Sequence, residues 1–451
     1  MFRELSKLSF PIVIGQLSFA FMSFIDTLLM GQLGVLELAG GGLGAVVYQF
    51  FYVVGIGALV ATANLIAYYK GKDDSRAVHQ SLLSGLVVVM FLFLSFALMI
   101  LNIGPLLLLL GQEATVVNYA QRYLDVVVWS LLPAFGFVLM RSFVIGMAKP
   151  GAILPISIIA TLLNYPLSYA LMKGEFGLPA MGIAGIALGT NIIALGMFIG
   201  LVYLTYRRSC FVHYQFWHGW HYFSFSRLKE TVRLGFPIAL AHAMEVGMFS
   251  AAALIVGLLG VNALAAHQVA LQSTTLSFMI PLGISQAVSV KIGELYGRGQ
   301  IAETRKALFS GLTLASISAM LAAMIFMLAP ESLVNFFIRT EDISETDMVT
   351  LLSIATSILF VAALFQFVDS WQVVLMGALR GYKLGASPTL VAIFCYWCVG
   401  MPLSYMASKI WGAPGVWAGM GMGLGLCALM LGLLFRYQLR KAFLLMPSEP
   451  A

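Results

Sequence analysis

Long apolar runs alternate along the chain with short polar breaks such as Gly71-Lys72-Asp73-Asp74, Lys149-Pro150-Gly151 and Gly297-Arg298-Gly299-Gln300. A helix that crosses a bilayer needs about 20 mostly apolar residues. That rule predicts twelve spans, near residues 8–33, 38–68, 77–101, 116–145, 152–172, 182–206, 232–258, 262–291, 303–329, 346–377, 386–407 and 414–438. The expected class is an all-α polytopic membrane protein.

The pattern repeats. A shift of 226 positions lays Phe10-Pro11-Ile12 on Phe236-Pro237-Ile238, Leu33-Gly34-Val35 on Leu259-Gly260-Val261, and Ser84-Gly85 on Ser310-Gly311. Met22 meets Met248, Gly57 meets Gly283 and Gly71 meets Gly297 without a gap. Further on the shift grows to 234–236, where Pro166-Leu167-Ser168-Tyr169 meets Pro402-Leu403-Ser404-Tyr405 and Ala184-Gly185 meets Ala418-Gly419. Two copies of a six-helix unit are therefore expected as pseudo-symmetric lobes. The N-lobe covers residues 1–206, an interfacial linker 207–231 and the C-lobe 232–451. Six spans is an even number, so both copies start on one face, as in secondary transporters with parallel repeats. The glycines Gly185 and Gly189, matched here with Gly419 and Gly423, have the small-xxx-small spacing that permits close helix packing.

Composition agrees with the spans. Of 451 residues 61% are hydrophobic and 10% charged, against about a quarter charged in soluble domains, and mean hydropathy is +0.95. The net charge of +6 follows from the collection of Lys and Arg in cytoplasmic loops, so no nucleic-acid partner is implied. Only Arg122, Lys173, Arg339 and Lys409 of the 25 Lys and Arg fall on one side of this topology, leaving 25 − 4 = 21 on the other. Both termini are expected to be cytoplasmic, with no cleavable signal before the first span. Of four cysteines, Cys395 and Cys398 have redox-motif spacing but sit inside a predicted span, where packing is the simpler role.

A charge at the centre of a spanning helix costs at least about 2.5–3.5 kcal/mol, which makes each one a functional candidate. Three acids lie well inside spans: Asp26, Glu245 with His242 at i−3, and Asp369 on a stripe with Gln366 and Gln372. Asp125 is expected to pair with Arg122. The acids break the repeat, because a shift of 226 pairs Asp26 with Ala252 and Glu245 with Phe19. Such a carboxylate serves as a cycling charge, neutralised by a proton or a hard cation in one conformation and released in another. A second polar group, Thr161, Asn164 and Ser168 in the fifth span with Thr190 in the sixth, is explained either by helix-to-helix hydrogen bonding or by a fold that brings it to Asp26. His242-x-x-Glu245 puts two possible metal ligands on one helix face, but no HExxH, paired-cysteine or phosphate-loop motif accompanies it. A membrane-embedded enzyme is thus a weaker alternative.

Several motifs together resemble one family, the multidrug and toxic compound extrusion (MATE) transporters, in its bacterial NorM-like branch. They are Phe10-Pro11, Ile25-Asp26-Thr27 before Met30-Gly31, Arg141-Ser142-Phe143 leading to Gly146-Met147-Ala148-Lys149-Pro150, Ala266-His267-Gln268-Val269-Ala270, and Gly377-Ala378-Leu379-Arg380-Gly381. The resemblance covers nearly the whole chain. It implies two lobes around a cleft in the inner membrane, exporting lipophilic organic cations in exchange for H+ or Na+. No cofactor is expected, and two lobes around one cleft suffice in a monomer. It places the N-lobe cation site on Asp26 with Asn164, Ser168 and Thr190, and the C-lobe acids on Glu245 and Asp369. These three acids would also hold Na+ if sodium is the coupling ion. Some relatives carry Asp or Asn where this chain has Ser168, which removes a charge from the N-lobe site.

Flat cations are suited by aromatic and Met side chains, which points to Phe21, Tyr48, Tyr52, Met244, Phe249, Phe278 and Phe365, with Gln268 beside them. A lipid-linked oligosaccharide flippase of the wider superfamily is the other transporter reading. It would line its cleft with Arg or Lys, and no basic residue is expected deep in a span.

Overall fold

The computed structural model describes residues 1–177, 179–214, 219–337 and 345–444. Among these, twelve helical segments are long and apolar enough to cross a membrane. They are α1 (Phe2–Gly31), α2 (Leu36–Gly71), α3 (Ser75–Leu101), α4 (Ala114–Gly146), α5 (Pro150–Lys173), α6 (Ile183–Tyr206), α7 (Phe225–Gly257), α8 (Val261–Gly297), α9 (Ile301–Leu328), α10 (Met348–Gly381), α11 (Ala386–Trp411) and α12 (Ala413–Leu444). Short helices follow α3 and α9, at Gly104–Leu109 and Pro330–Phe337. The residues expected to form a linker make short 3-10 turns at Ser209–Tyr214 and Trp220–Tyr222, and α7 already begins at Phe225. Trp217 and Arg339 lie outside the described residues.

The chain forms two compact units, Ile14–Ala239 and Met1–Val13 with Leu240–Ala451. Both boundaries fall just past a proline inside a helix, Pro11 in α1 and Pro237 in α7.

The duplication is visible in the backbone. At the end of α2, the amides of Lys72, Asp73 and Asp74 donate to the carbonyls of Tyr68, Lys70 and Tyr69 at 3.2, 3.0 and 3.0 Å. At the end of α8 those of Arg298, Gly299 and Gln300 donate to Glu294, Tyr296 and Leu295 at 3.0, 3.1 and 2.9 Å. Each turn needs a left-handed residue to reach the last carbonyls, and these are Asp73 (φ 55°) and Gly299 (φ 76°). The ends of α4 and α10 repeat the device with Ala148 (φ 56°) and Lys383 (φ 62°).

Helix contacts repeat as well. A Cβ on Gly146 would meet the Ala63 carbonyl oxygen at 2.8 Å and Ile66, and one on Gly381 would meet the Ser289 carbonyl oxygen at 2.6 Å and Ile292. Ala63 and Ser289, like Ile66 and Ile292, are 226 apart.

In α12 the register corrects the sequence reading. Gly182 (φ 56°, ψ −130°) before α6 corresponds to Gly412 (φ 64°, ψ −141°) before α12, a shift of 230. Gly185 packs on the Leu171 carbonyl and Gly189 on Ser168, while Gly415 packs on the Ala407 carbonyl and Gly419 on Ser404. Gly185 and Gly189 therefore correspond to Gly415 and Gly419, one turn earlier than Gly419 and Gly423. Gly423 instead lies against Gly400, at the end of a π-helical stretch, Phe394–Gly400, inside α11. Cys395 is buried there, with its Sγ 3.7 Å from Met430 Sδ, and Cys398 is exposed.

Candidate functional site

In the Ile14–Ala239 unit, α1 carries Phe19, Met22, Ser23 and Asp26 on one face, because residues three and four apart are neighbours on a helix. All four line a cavity of about 70 Å³, with Tyr48, Gln49 and Tyr52 from α2, Tyr123 and Phe137 from α4, and Thr190 and Met197 from α6. Asp26 is 9% exposed. Thr190 Oγ1 donates to Asp26 Oδ2 at 2.9 Å and Asn164 Nδ2 donates to Asp26 Oδ1 at 3.4 Å. No Lys or Arg lies within ion-pair distance of Asp26 among the described residues.

The wall beside the acid is a column of rings. Phe19 stacks on Tyr52 with centroids 4.7 Å apart and planes 17° apart, Tyr48 on Tyr52 at 6.0 Å and 8°, and Tyr52 on Phe135 at 6.1 Å and 3°. A hydrogen bond of 2.8 Å joins the Tyr48 hydroxyl to Ser130 Oγ and fixes the ring. The cavity thus combines one carboxylate, satisfied only by neutral donors, with flat π surfaces. A cation gains there both by Coulomb attraction and by contact with ring faces.

Two other members of the polar group are placed differently. Ser168 is fully buried against Gly189, and its Oγ has no hydrogen-bond partner among the described residues. Thr161 Oγ1 donates to the Ser157 carbonyl at 2.9 Å and to that of Ser18 at 3.5 Å, so it ties α5 to itself and to α1 and does not bond the acid.

In the other unit, Glu245 Oε2 lies 3.6 Å from His242 Nδ1. Asp369 is 4% exposed and lies within electrostatic range of Glu245. Tyr396 and Arg380 are within range of Glu245 too. Gln366 Nε2, Ser370 Oγ and Gln372 Oε1 are buried on α10 with no hydrogen-bond partner among the described residues. His267 Nδ1 accepts from Trp417 Nε1 at 3.1 Å, which leaves the proton of its neutral ring on Nε2. No group of three or more His, Cys, Asp or Glu side chains gathers as a metal centre among the described residues.

Of the aromatic candidates, Tyr48 and Tyr52 line the cavity, and Phe21 points away from it, 51% exposed. Phe365 is buried between Phe249 and Trp417, at centroid distances of 6.3 and 5.3 Å. Met244 accepts a hydrogen bond from Trp397 Nε1 through its backbone carbonyl at 3.2 Å. Phe278 is half-buried and Gln268 exposed.

The sequence reading passed over Phe19, whose i−7 spacing from Asp26 was available as a signal. Tyr123 and Phe137 carried none, because only the packing of α4 on α2 brings them to the cavity. Asp125 accepts from Gln121 at 2.7 Å, while Arg122 lies over the Tyr119 ring, so the expected ion pair is replaced by a neutral donor and a cation–π contact. Arg141 also departs from expectation, being buried within α4, where its Nη1 donates to Gln16 at 3.2 Å.

Comparison with known proteins gives a concordant picture. A family model described as MatE matches residues 11–170 and again 237–406, whose limits differ by 226 and 236, as the two repeats do. A protein of Pseudomonas aeruginosa named as a probable multidrug resistance protein NorM is 35% identical over 97% of this chain and 89% of its own length. One of the same name from Synechococcus is 32% identical over 94% and 91%. Among solved structures, the eukaryotic MATE transporter AtDTX14 superposes with a TM-score of 0.86 at 20% identity, covering 98% of this chain and 97% of that one. A MATE structure in the straight conformation superposes with 0.87 at 19% identity, covering 98% and 97%.

Proposed function

The chain is a NorM-like member of the MatE family of transporters, a multi-pass membrane protein and not an enzyme, and on that premise we propose that it is a multidrug efflux antiporter. It takes lipophilic organic cations across the bacterial inner membrane, with both termini in the cytoplasm, and returns H+ or Na+ by alternating access. The observation that carries this reading is the Asp26 cavity, where a buried carboxylate with no cationic partner among the described residues faces stacked rings.

Coupling follows from competition for one charge. While Asp26 is ionised it attracts the organic cation. When a proton or Na+ neutralises it, the attraction is lost and the cation leaves. Affinity for the drug cation therefore falls as the pH falls, and the asparagine variant loses both the affinity and its pH dependence. Exchange of one proton for one monovalent cation moves no net charge, so it is driven by the pH difference, about 1.4 kcal/mol per unit. Two protons per cation would add about 2.3 kcal/mol per 100 mV.

The test is flux of a fluorescent organic cation in liposomes containing the purified protein, first under a pH gradient without Na+, then under a Na+ gradient at equal pH. Flux under the pH gradient that Asp26→Asn abolishes and Asp369→Asn spares establishes proton antiport at the α1 cavity. Flux that needs Na+ and is lost in Glu245→Gln or Asp369→Asn moves coupling to the other unit. No flux under either gradient overturns the reading.

A further inference from the structure

Away from the Asp26 cavity, the Leu240–Ala451 unit holds a groove of about 590 Å³ between α9, α10 and α12. Its floor is apolar, with Leu308, Leu312, Leu375, Leu429 and Leu433, and its mouth holds three arginines, Arg305, Arg436 and Arg440. We propose that this groove is a binding site for an anionic phospholipid, the three guanidiniums holding the headgroup phosphate and the leucines one acyl chain.

The arginines are free to take an anion. No carboxylate lies within ion-pair distance of any of them among the described residues. Glu303, the acid nearest in sequence to Arg305, is already bound by Lys306 at 2.7 Å. Elsewhere in the molecule, Arg227 is neutralised by Glu230 at 2.8 Å and Arg298 by Glu294 at 2.6 Å. The groove therefore concentrates uncompensated positive charge, whose planar forks match phosphate oxygens.

The length also fits. Arg440 and Leu429 are eleven residues apart on α12, about 16 Å at 1.5 Å per residue. One leaflet of a hydrocarbon core of about 30 Å has that depth. A single lipid can then keep its phosphate on Arg436 and Arg440 while a chain reaches the level of Leu429. Basic pockets between spanning helices bind anionic headgroups by the same combination.

The occupant is a lipid and not a soluble phosphate, because a soluble anion would leave the leucine floor unfilled. Gly432 gives a means of testing the floor apart from the charges, since a Cβ there would meet nothing within 4 Å. Gly432→Phe thus adds a side chain to the groove without disturbing the helix contacts.

The experiment uses the full chain in phosphatidylcholine vesicles that carry a photoactivatable phosphatidylglycerol or, in parallel, a photoactivatable phosphatidylcholine. Labelled peptides are mapped by mass spectrometry, with labelling at the exposed Leu94 and Leu98 of α3 as internal reference. The expected result is labelling of residues 305–312 and 428–440 by phosphatidylglycerol at least about tenfold above phosphatidylcholine, since each arginine contributes about fivefold. The triple variant R305Q/R436Q/R440Q brings the two lipids level, and Gly432→Phe lowers labelling by both while reference labelling stays unchanged. Equal labelling of the groove by both lipids in the unaltered chain overturns the proposal. So does an unchanged preference in the triple variant, suppression of phosphatidylglycerol labelling by glycerol phosphate alone, or crosslinks between two copies at these residues.

Discussion

The two six-helix units share their turns and close contacts but place opposite chemistry on them. Asp26, Asn164 and Thr190 in one unit correspond to Ala252, Gly400 and Met420 in the other, by the shifts of 226, 236 and 230 that the α1/α7, α5/α11 and α6/α12 pairs follow. In the opposite sense, Glu245, Asp369 and Gln372 correspond to Phe19, Ala134 and Phe137, all three of which line the Asp26 cavity. Each polar site thus corresponds under the repeat to apolar positions in the other copy. Backbone geometry tolerates duplication because every turn and glycine contact is satisfied locally in each copy. A buried charge does not, since each one costs several kcal/mol in the membrane and is retained only where it does work. Ser168 and Ser404 show the difference at one position. Ser404 Oγ donates to the Gly400 carbonyl at 2.8 Å and lies 3.0 Å from that of Val416, whereas Ser168 Oγ has no partner among the described residues.

The strongest attempt to break the comparison is to move the acid. In Asp26→Ala combined with Ala252→Asp the net charge is unchanged, but the relocated carboxylate meets Gly400 and Met420 instead of amide and hydroxyl donors. Cation flux is expected to fall at least about 100-fold, roughly 2.7 kcal/mol, and to stay there when both changes are present. Recovery of flux in the double variant would mean that the units are chemically interchangeable.

The next test asks whether the shared backbone contacts carry equal weight. Gly146→Val and Gly381→Val each drive a side chain into the facing carbonyl and isoleucine. Each is expected to destabilise by about 2–3 kcal/mol, read as matching drops in the thermal midpoint of the detergent-solubilised protein. A large drop for one and none for the other would show that the contact is structural in a single unit. The smallest effect is expected at the left-handed positions. Ala148→Gly and Lys383→Gly relieve a strained φ and should each raise the midpoint, by about 0.5–1 kcal/mol in stability, with no change in flux.

What was legible in the sequence follows the same division. Apolar runs of spanning length and a gapless shift of 226 revealed the helices and their duplication, because both are properties of contiguous residues. Register failed at α12 because small residues recur there every four positions, so a slip of one helical turn leaves the pattern intact. The Gly182 and Gly412 backbone angles, with the carbonyls on which Gly185 and Gly415 pack, fix it. At the site, the cost of burying Asp26 was readable from its place in an apolar run, but its partners come from α5 and α6, more than a hundred residues away. The expectation of no basic residue deep in a span fails at Arg141 for a related reason. Its position five residues from the end of α4 looks peripheral, and only the packing that delivers Gln16 makes it internal.

One difference between the copies bears on handling the protein. Residues 174–182 join α5 to α6, whereas Gly412 alone joins α11 to α12. The backbone of Gly412 lies at φ 64°, ψ −141°, a region open to glycine and closed to residues with a β-carbon. An inserted epitope or dye-bearing tag at the first connector merely lengthens a loop, at an entropic cost that grows slowly with length. At the second it breaks into a one-residue reversal whose backbone angles only glycine adopts. Of these two connectors the permissive labelling position is therefore the first, in the unit that holds the Asp26 cavity.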